Sequence, residues 1–254
     1  MNQFTRRDAL SALTLGGAAI ATSHVVLAKE ATGVNTAPMA PTTTASFPLA
    51  LAGAHSVVPL PFSPGKLHGL SEKMLVSHHD NNYASAVKNL NRVEQELAKL
   101  SPETPPFLVA GLRDKELTFR NSKTLHEAYF ANLGGDGRRS GAIESALSHA
   151  YGSTGKWEEQ FRATGLGLGG GSGWVILAFE LDTGALRTVA GGNHTQVLAN
   201  AVPLLIMDMY EHAYQMDFGA AVPKYIDAFF ANVRWDEVNH RLERAARTSA
   251  AWRA

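Results

Sequence analysis

The chain has 254 residues, of which 45% are hydrophobic and 18% charged, so it can bury a sizeable core in one or two domains. Its 23 basic and 23 acidic residues give a formal net charge of zero, which provides no indication of nucleic-acid binding. The absence of cysteine excludes disulfides, thiolate zinc sites, iron–sulfur clusters and cysteine nucleophiles, and it is compatible with an oxidising compartment.

The N-terminal segment has the features of an export signal. Residues 1–28 contain the pair Arg6 and Arg7, then a run rich in alanine, leucine and glycine, and small residues typical of a cleavage site near Ala28. An uncleaved membrane anchor is the alternative, but glycine, serine and histidine interrupt the apolar run. We therefore expect a twin-arginine-type signal peptide, a periplasmic location, and no membrane association after cleavage. Residues 29–57, rich in threonine, alanine and proline, are expected to be a flexible linker.

The first predicted helix begins after Ser71, a suitable N-cap, and runs to about Leu100. Helical spacing places six residues on one face. These are Leu75, His78, Asn82, Ala86, Asn89 and Val93. Half of this face is polar, and buried polar groups need partners, so a metal centre or a partner helix is expected there.

A second predicted helix covers residues 121–133 and ends at a pair of glycines. Its apolar and aromatic residues share one face with His126. With the first helix it predicts an antiparallel helical hairpin, which forms an N-terminal domain over residues 58–138.

The C-terminal part, residues 139–254, mixes helices and strands. Helices are predicted at 141–151, 154–164, around 225–230 and from about 236; strands are predicted at 173–181, 186–190 and 204–207. The class is therefore α+β, with the helical hairpin domain followed by a small three-stranded antiparallel sheet covered by helices.

Three histidines and one aspartate stand out as candidate metal ligands: His78, His126, Asp208 and His212. A mixed nitrogen and oxygen set suits iron or manganese better than a thiolate-seeking metal. Asp208 ends an apolar run, where a carboxylate is costly unless it is paired or bound to a metal. His79 points about 100° away from His78, so only one of the two can face inward, and the helical phase favours His78. Taken alone, a histidine such as His78 or His126 is more often a hydrogen-bonded core or surface residue, and Asp208 with His212 fits a helix-capping aspartate and a satisfied histidine as well as a metal site.

The glycine-rich run at residues 165–173 is not a phosphate-binding loop. No lysine follows it, and it precedes a predicted strand instead of opening a helix after one. We expect these glycines to allow close backbone packing beside the site.

Several motifs together resemble the iron/manganese superoxide dismutases over residues 55–245. HHDNNYASAVKNLN resembles the family's first-ligand helix, and LHEAYFANL resembles its second-ligand helix. GSGW resembles the family's glycine turn, DMYEHAY its hallmark segment, and NVRWDEVNHR its C-terminal helix. The lead PLPFSPGKL also matches. The hallmark segment usually has tryptophan where this chain has Tyr210.

The resemblance implies that the four candidate ligands bind one iron or manganese ion per chain. It implies that the ion alternates between trivalent and divalent states while superoxide is converted to dioxygen and hydrogen peroxide. It also implies a homodimer formed through the region of Glu211 and His212.

The chain departs from the family around the metal. Ala86 stands where the family has its gateway tyrosine, and Asn82 stands where it has its relay histidine. Gln215 stands where the family has the tyrosine that pairs with that histidine across the dimer. In the family, the glutamine that bonds the metal-bound solvent comes from one of two positions. In this chain we expect those positions to be Ser122 and Gly170, neither of which is a glutamine.

The candidate catalytic residues are accordingly Asn82, Tyr83 and Gln215, with Asn82 or Tyr83 expected to reach into the space left at Ala86. The alternatives are a non-catalytic metal-binding protein of the same fold, such as an exported metal store, and a zinc hydrolase. The hydrolase is disfavoured because no His-Glu-x-x-His arrangement provides a general base.

Overall fold

The computed structural model describes residues 49–254. The predicted signal peptide and residues 29–48 of the predicted linker lie outside the described residues. The helices are α1 (Glu72–Ser77), α2 (Ala84–Leu97), α3 (Pro106–Ala131), α4 (Ala142–Tyr151), α5 (Thr154–Leu168), α6 (Gln215–Phe218), α7 (Val222–Ala231) and α8 (Trp235–Trp252). The strands are β1 (Trp174–Glu180), β2 (Leu186–Gly191) and β3 (Ala201–Asp208). Across the described residues, no helix has the length and apolar character needed to cross a membrane.

The predicted first helix is continuous but contains a π-helical turn at His78–Tyr83 between α1 and α2. Its start is as predicted, since Ser71 Oγ accepts a hydrogen bond of 3.1 Å from Met74 N. A π turn holds one more residue than an α turn, which changes the direction of the side chains that follow it. As a result His79 is buried as well as His78, although only His78 faces the other candidate ligands.

The second helix of the hairpin, α3, begins at Pro106, fifteen residues earlier than the start predicted at 121. Proline is favoured in the first turn of a helix, because its missing N–H is not needed there. The early part of α3 is largely exposed and includes Phe107 and Leu117, so it has no clear apolar stripe from which to predict it. Packing of α2 against α3 confirms the antiparallel hairpin.

The chain before the hairpin is fixed to α2 from Gly53 onward. Glu94, only 1% exposed, accepts hydrogen bonds from Gly53 N at 2.8 Å and pairs with His55 Nε2 at 2.9 Å. The backbone N–H and C=O of His55 both bind the Asn91 side chain. The expected linker boundary at residue 57 is therefore wrong: residues 53–57 belong to the folded part, because buried polar groups of α2 bind their backbone.

The three strands form an antiparallel sheet in the order β2–β1–β3, which confirms the predicted sheet. Trp174, at the start of β1, pairs with Gly191 on one side and Asp208 on the other. Helices α3, α5 and α8 pack against the sheet. The ends of β2 and β3 thus meet beside Trp174, which places Asp208 at a buried corner between the sheet and α3.

The glycine-rich run is partly helical, because α5 continues to Leu168 beyond the predicted end at 164. A Cβ at Gly165 would lie 2.6 Å from Met207 Cε, and one at Gly173 would lie 2.5 Å from Gly191 O. Gly173 also has a φ of +147°, which a residue with a side chain rarely adopts. These two glycines confirm the expected close packing, whereas Gly170 has open space around it.

Asn132 joins the hairpin to the sheet. It is fully buried at the end of α3; its Nδ2 donates to Leu204 O at 3.2 Å, and its Oδ1 accepts from Ile206 N at 3.1 Å. Arg241 of α8 also donates to Asn132 Oδ1, at 3.2 Å. One amide therefore satisfies two backbone groups of β3 and connects three elements.

Replacing Asn132 with alanine leaves the buried Ile206 N–H without this acceptor and leaves Leu204 O with the Arg241 guanidinium alone. We expect Asn132→Ala to lower the free energy of unfolding by about 3 kcal/mol, the range for unsatisfied buried polar groups. Urea unfolding followed by circular dichroism measures the change. The control is Asn81→Ala at an exposed position, which should stay within about 0.5 kcal/mol. Equal losses in the two variants would contradict the role of Asn132.

Candidate metal centre

The four candidate ligands come from four different elements and meet at one point. His78 opens the π turn, His126 lies on α3, Asp208 ends β3, and His212 lies in the short 3₁₀ turn Glu211–Ala213. One ligand atom from each lies within 4.8 Å of the others. The structure therefore brings together the whole predicted set.

The geometry is that of a cation site. Asp208 Oδ2 lies 3.1 Å from His78 Nε2, 3.3 Å from His212 Nε2 and 3.6 Å from His126 Nε2. His78 Nε2 and His126 Nε2 are buried without any hydrogen-bond partner. Buried polar atoms are costly when unpaired, and a shared metal ion would satisfy them at once. The donor set thus fits iron or manganese.

Burial and charge hold these groups in the states that bind a metal. Burial, followed by the neighbouring His78, lowers the pKa of His126 to about 3. Burial also lowers the pKa of His78. For Asp208, burial alone would raise the pKa, but the adjacent His212 and His78 side chains hold the pKa of this carboxyl well below its usual range. At neutral pH Asp208 is a carboxylate, and His78 and His126 are neutral imidazoles, as coordination requires.

Ser122 orients one of the ligands. His126 Nδ1 donates to the Ser122 carbonyl oxygen at 2.7 Å, and the Ser122 hydroxyl lies 3.3 Å from the same nitrogen. Placing the proton on Nδ1 leaves Nε2 with a free lone pair directed at Asp208. Asp208 is oriented in turn, since its Oδ1 accepts from Tyr210 N at 2.9 Å and its carbonyl oxygen accepts from Tyr225 OH at 2.6 Å.

A cleft of about 390 Å³ leads from the surface to the ligands. It is lined by Asn81, Asn82, Ser85, Ala86, Asn89, Thr118, Phe119, Ser122, His126, His194 and His212. The walls therefore carry amides, hydroxyls and imidazoles among apolar atoms, and the residues that line the cleft include no acidic residue, lysine or arginine. Ala86 leaves it open beside the ligands, and Asn82 lines it as predicted.

The expectation that Tyr83 reaches this space is wrong. Its hydroxyl donates to Glu127 at 2.6 Å and accepts from Val58 N at 2.8 Å, and its side chain is buried in the core. Burial and the Glu127 carboxylate raise the pKa of Tyr83 above its usual value. The π turn directs this side chain toward α3 and the N-terminal segment, away from the cleft. Gln215 lines a separate depression beside Gly170 and Tyr214.

His194 is a further candidate site residue, which the sequence patterns did not indicate. It lies in the loop after β2, lines the cleft, and has its ring centroid 6.1 Å from that of His126. Trp174 Nε1 donates to His194 Nδ1 at 3.0 Å. The neutral ring therefore carries its proton on Nε2. The sequence feature that could have indicated His194 is its position in the polar segment 191–196, directly after a predicted strand.

The expectation for Gly170 is corrected by the same finding. Gly170 N donates to Tyr214 OH at 3.0 Å, and Gly170 lines the depression that contains Gln215. His194 lines the cleft beside the ligands instead, because Trp174 binds the β2–β3 loop there, whereas the glycine run contacts Tyr214.

Comparisons with known proteins agree with this geometry. A sequence model for "Iron/manganese superoxide dismutases, C-terminal domain" matches residues 139–241. The chain is 43% identical to a superoxide dismutase [Fe] of Cupriavidus metallidurans, over 76% of this chain and 98% of that relative. It is 31% identical to a superoxide dismutase [Mn] 1 of Halobacterium salinarum, over 76% of this chain and 96% of that relative. It is 30% identical to a superoxide dismutase [Fe] of Aquifex aeolicus, over 78% and 97%.

Proposed function

This chain belongs to the iron/manganese superoxide dismutases, and we propose that it converts two superoxide ions and two protons to dioxygen and hydrogen peroxide, using one iron or manganese ion held by His78, His126, Asp208 and His212. The observation that carries this function is the convergence of three imidazoles on one buried carboxylate. When bound, the ion supplies the redox chemistry by alternating between its trivalent and divalent states. Relatives named for iron and relatives named for manganese both match, and the ligand set suits either metal.

The protein supplies the orientation of the ligands and a hydrogen-bond donor beside them. We propose that His194 is that donor, in place of the glutamine found elsewhere in the family. Its Nδ1 is occupied by Trp174, so the Nε2–H is the group available within the cleft. Loss of a donor that orients or tunes a metal site lowers affinity or activity by about 10–100-fold in other proteins.

The cleft provides access for substrate and water. Superoxide is small, and the space beside Ala86 lets it reach the ligands without movement of a gate. The amides of Asn82 and Asn89 and the hydroxyl of Ser85 can each bind water. Protons needed for hydrogen peroxide can therefore come from water in the cleft.

The activity is tested on the purified chain without its first 28 residues, loaded with iron or with manganese. We expect about one ion per chain by mass spectrometry of the metals and superoxide decay well above that of the free ion. Asp208→Asn, which removes the only anionic ligand, should lose the metal and the activity together. The exposed Asp80→Asn variant is the control and should keep both. Bound metal without superoxide decay would instead favour the non-catalytic metal store.

The proposed role of His194 predicts a separate effect. We expect His194→Ala to keep the metal and lose about 10–100-fold in activity, because the donor is absent but all four ligands remain. His194→Gln restores a donor and should recover much of the loss. His240→Ala changes an exposed histidine and should leave activity unchanged. Full activity in His194→Ala would refute the assignment.

A homodimer is proposed through the region of Glu211 and His212. Glu211 is exposed beside the ligand His212. Gln215 lines the same depression as Glu211, and the family resemblance pairs Gln215 with Asn82 of a second copy. Sedimentation analysis should give a dimer that Glu211→Ala weakens; a wild-type monomer at micromolar concentration would reject the proposal.

Export through the twin-arginine route is proposed from Arg6 and Arg7 and the apolar run that follows. That route carries folded proteins, so the metal can be inserted before export. Changing both arginines to lysine should retain the precursor in the cytoplasm, as measured by cell fractionation. Normal export of that variant would exclude this route.

A further inference from the structure

Tyr210 lies between two histidines of the site. Its ring stacks on His194 with centroids 4.8 Å apart and planes 15° apart. The same ring also stacks on the ligand His212, with centroids 5.3 Å apart and planes 18° apart. Three nearly parallel rings therefore run from the β2–β3 loop to the metal ligands, with Tyr210 as the spacer.

The hydrogen bonds on the His194 loop and ring do not by themselves fix the plane of the ring, and its contacts with the Trp174 and His126 rings are tilted, not stacked. The loop is fixed by the Asn193 side chain, which accepts from Thr195 N and Gln196 N, and by Gln196 Oε1, which accepts from Gly192 N. The ring itself has one hydrogen bond, from Trp174 Nε1 to Nδ1. A single hydrogen bond holds one atom, and the ring can still pivot about it.

The flat face of Tyr210 removes this remaining freedom. Aromatic rings 4.5–7 Å apart attract each other in offset-stacked geometry, and a ring that pivots away from its partner loses that contact. Because Tyr210 also stacks on His212, it relates the position of His194 directly to that of a metal ligand. Its backbone N–H binds Asp208 Oδ1, so the same residue is fixed to a second ligand.

We propose that Tyr210 is a positioning residue that acts through His194, setting the direction of the His194 Nε2–H relative to the bound metal. This inference rests on the proposed function of His194 as the donor beside the ligands. The ring is assigned this role because it stacks on the rings of His194 and His212, whereas the Tyr210 hydroxyl bonds the Ser172 side chain and the His194 backbone and does not touch the imidazole.

The first test observes Trp174 without using activity. The chain has four tryptophans, and the indole N–H signal of Trp174 in an NMR spectrum of the zinc-loaded full chain is assigned with Trp174→Phe. We expect Tyr210→Phe to leave this signal in place, whereas Tyr210→Leu moves it toward its position in His194→Ala. An unmoved signal in Tyr210→Leu would overturn the proposal. If the leucine variant does not fold, Tyr210→Met makes the same change.

The second test is a double-mutant cycle on the iron-loaded protein, with azide as the probe. Tyr210→Leu should change the azide dissociation constant about two- to tenfold, the range for losing one aromatic pair. The same substitution made in a His194→Ala background should have little further effect, because Tyr210 acts through His194. Tyr210→Phe should stay within about twofold of the wild type. An equal change in both backgrounds would show that Tyr210 acts independently and would refute the proposal.

The NMR measurement does not depend on dismutase activity. The positioning role of Tyr210 and the proposed dismutase function can therefore fail separately.

Discussion

The burial of the Asp208 carboxylate is the constraint on which the rest of the structure depends. It has no exposed surface, and three histidine nitrogens surround one of its oxygens at 3.1–3.6 Å. A charge in this position is costly unless it is compensated, and neutral imidazoles whose lone pairs face it do not compensate it. A bound cation satisfies the carboxylate and the unpaired imidazole nitrogens together. The fold is therefore arranged around a positive charge that its own side chains do not supply.

The four ligands are positioned by elements that are held together far from the site. The antiparallel register of β1 and β3 places Asp208 beside Trp174. Asn132 fixes the end of α3 to β3. His126 lies six residues earlier on the same helix, so this contact also fixes its position relative to β3. Tyr225 of α7 holds the Asp208 backbone from the opposite side. The site is thus rigid because the sheet, α3 and α7 share buried hydrogen bonds.

Much of this arrangement could be predicted from the sequence, and the errors have physical causes. The strands, the hairpin and the ligand set follow from local patterns and from motifs with specific residues. The π turn at His78–Tyr83 could not be predicted, because a single inserted residue barely alters helical periodicity, yet it buries His79 and turns Tyr83 away from the cleft. The role of His194 depends on a loop that folds back over Trp174, which is a contact between distant segments. The expectation for Gly170 fails because the path of the glycine run, which contacts Tyr214, depends on packing between distant segments.

The walls of the cleft explain how an anionic substrate can be attracted without lysine or arginine in them. The ligand set carries one negative charge, from Asp208, since the low pKa values of His78 and His126 keep both rings neutral. A divalent or trivalent ion in this set therefore leaves a net positive charge in either oxidation state. Because the site is buried, that charge is weakly screened, and the cleft gives an anion access to the ligands. Neutral amides and hydroxyls in its walls do not compete for the substrate, whereas a fixed cation there would also retain other anions. The attraction for superoxide thus comes from the metal centre itself, and the residues around it are free to act as hydrogen-bond donors and spacers.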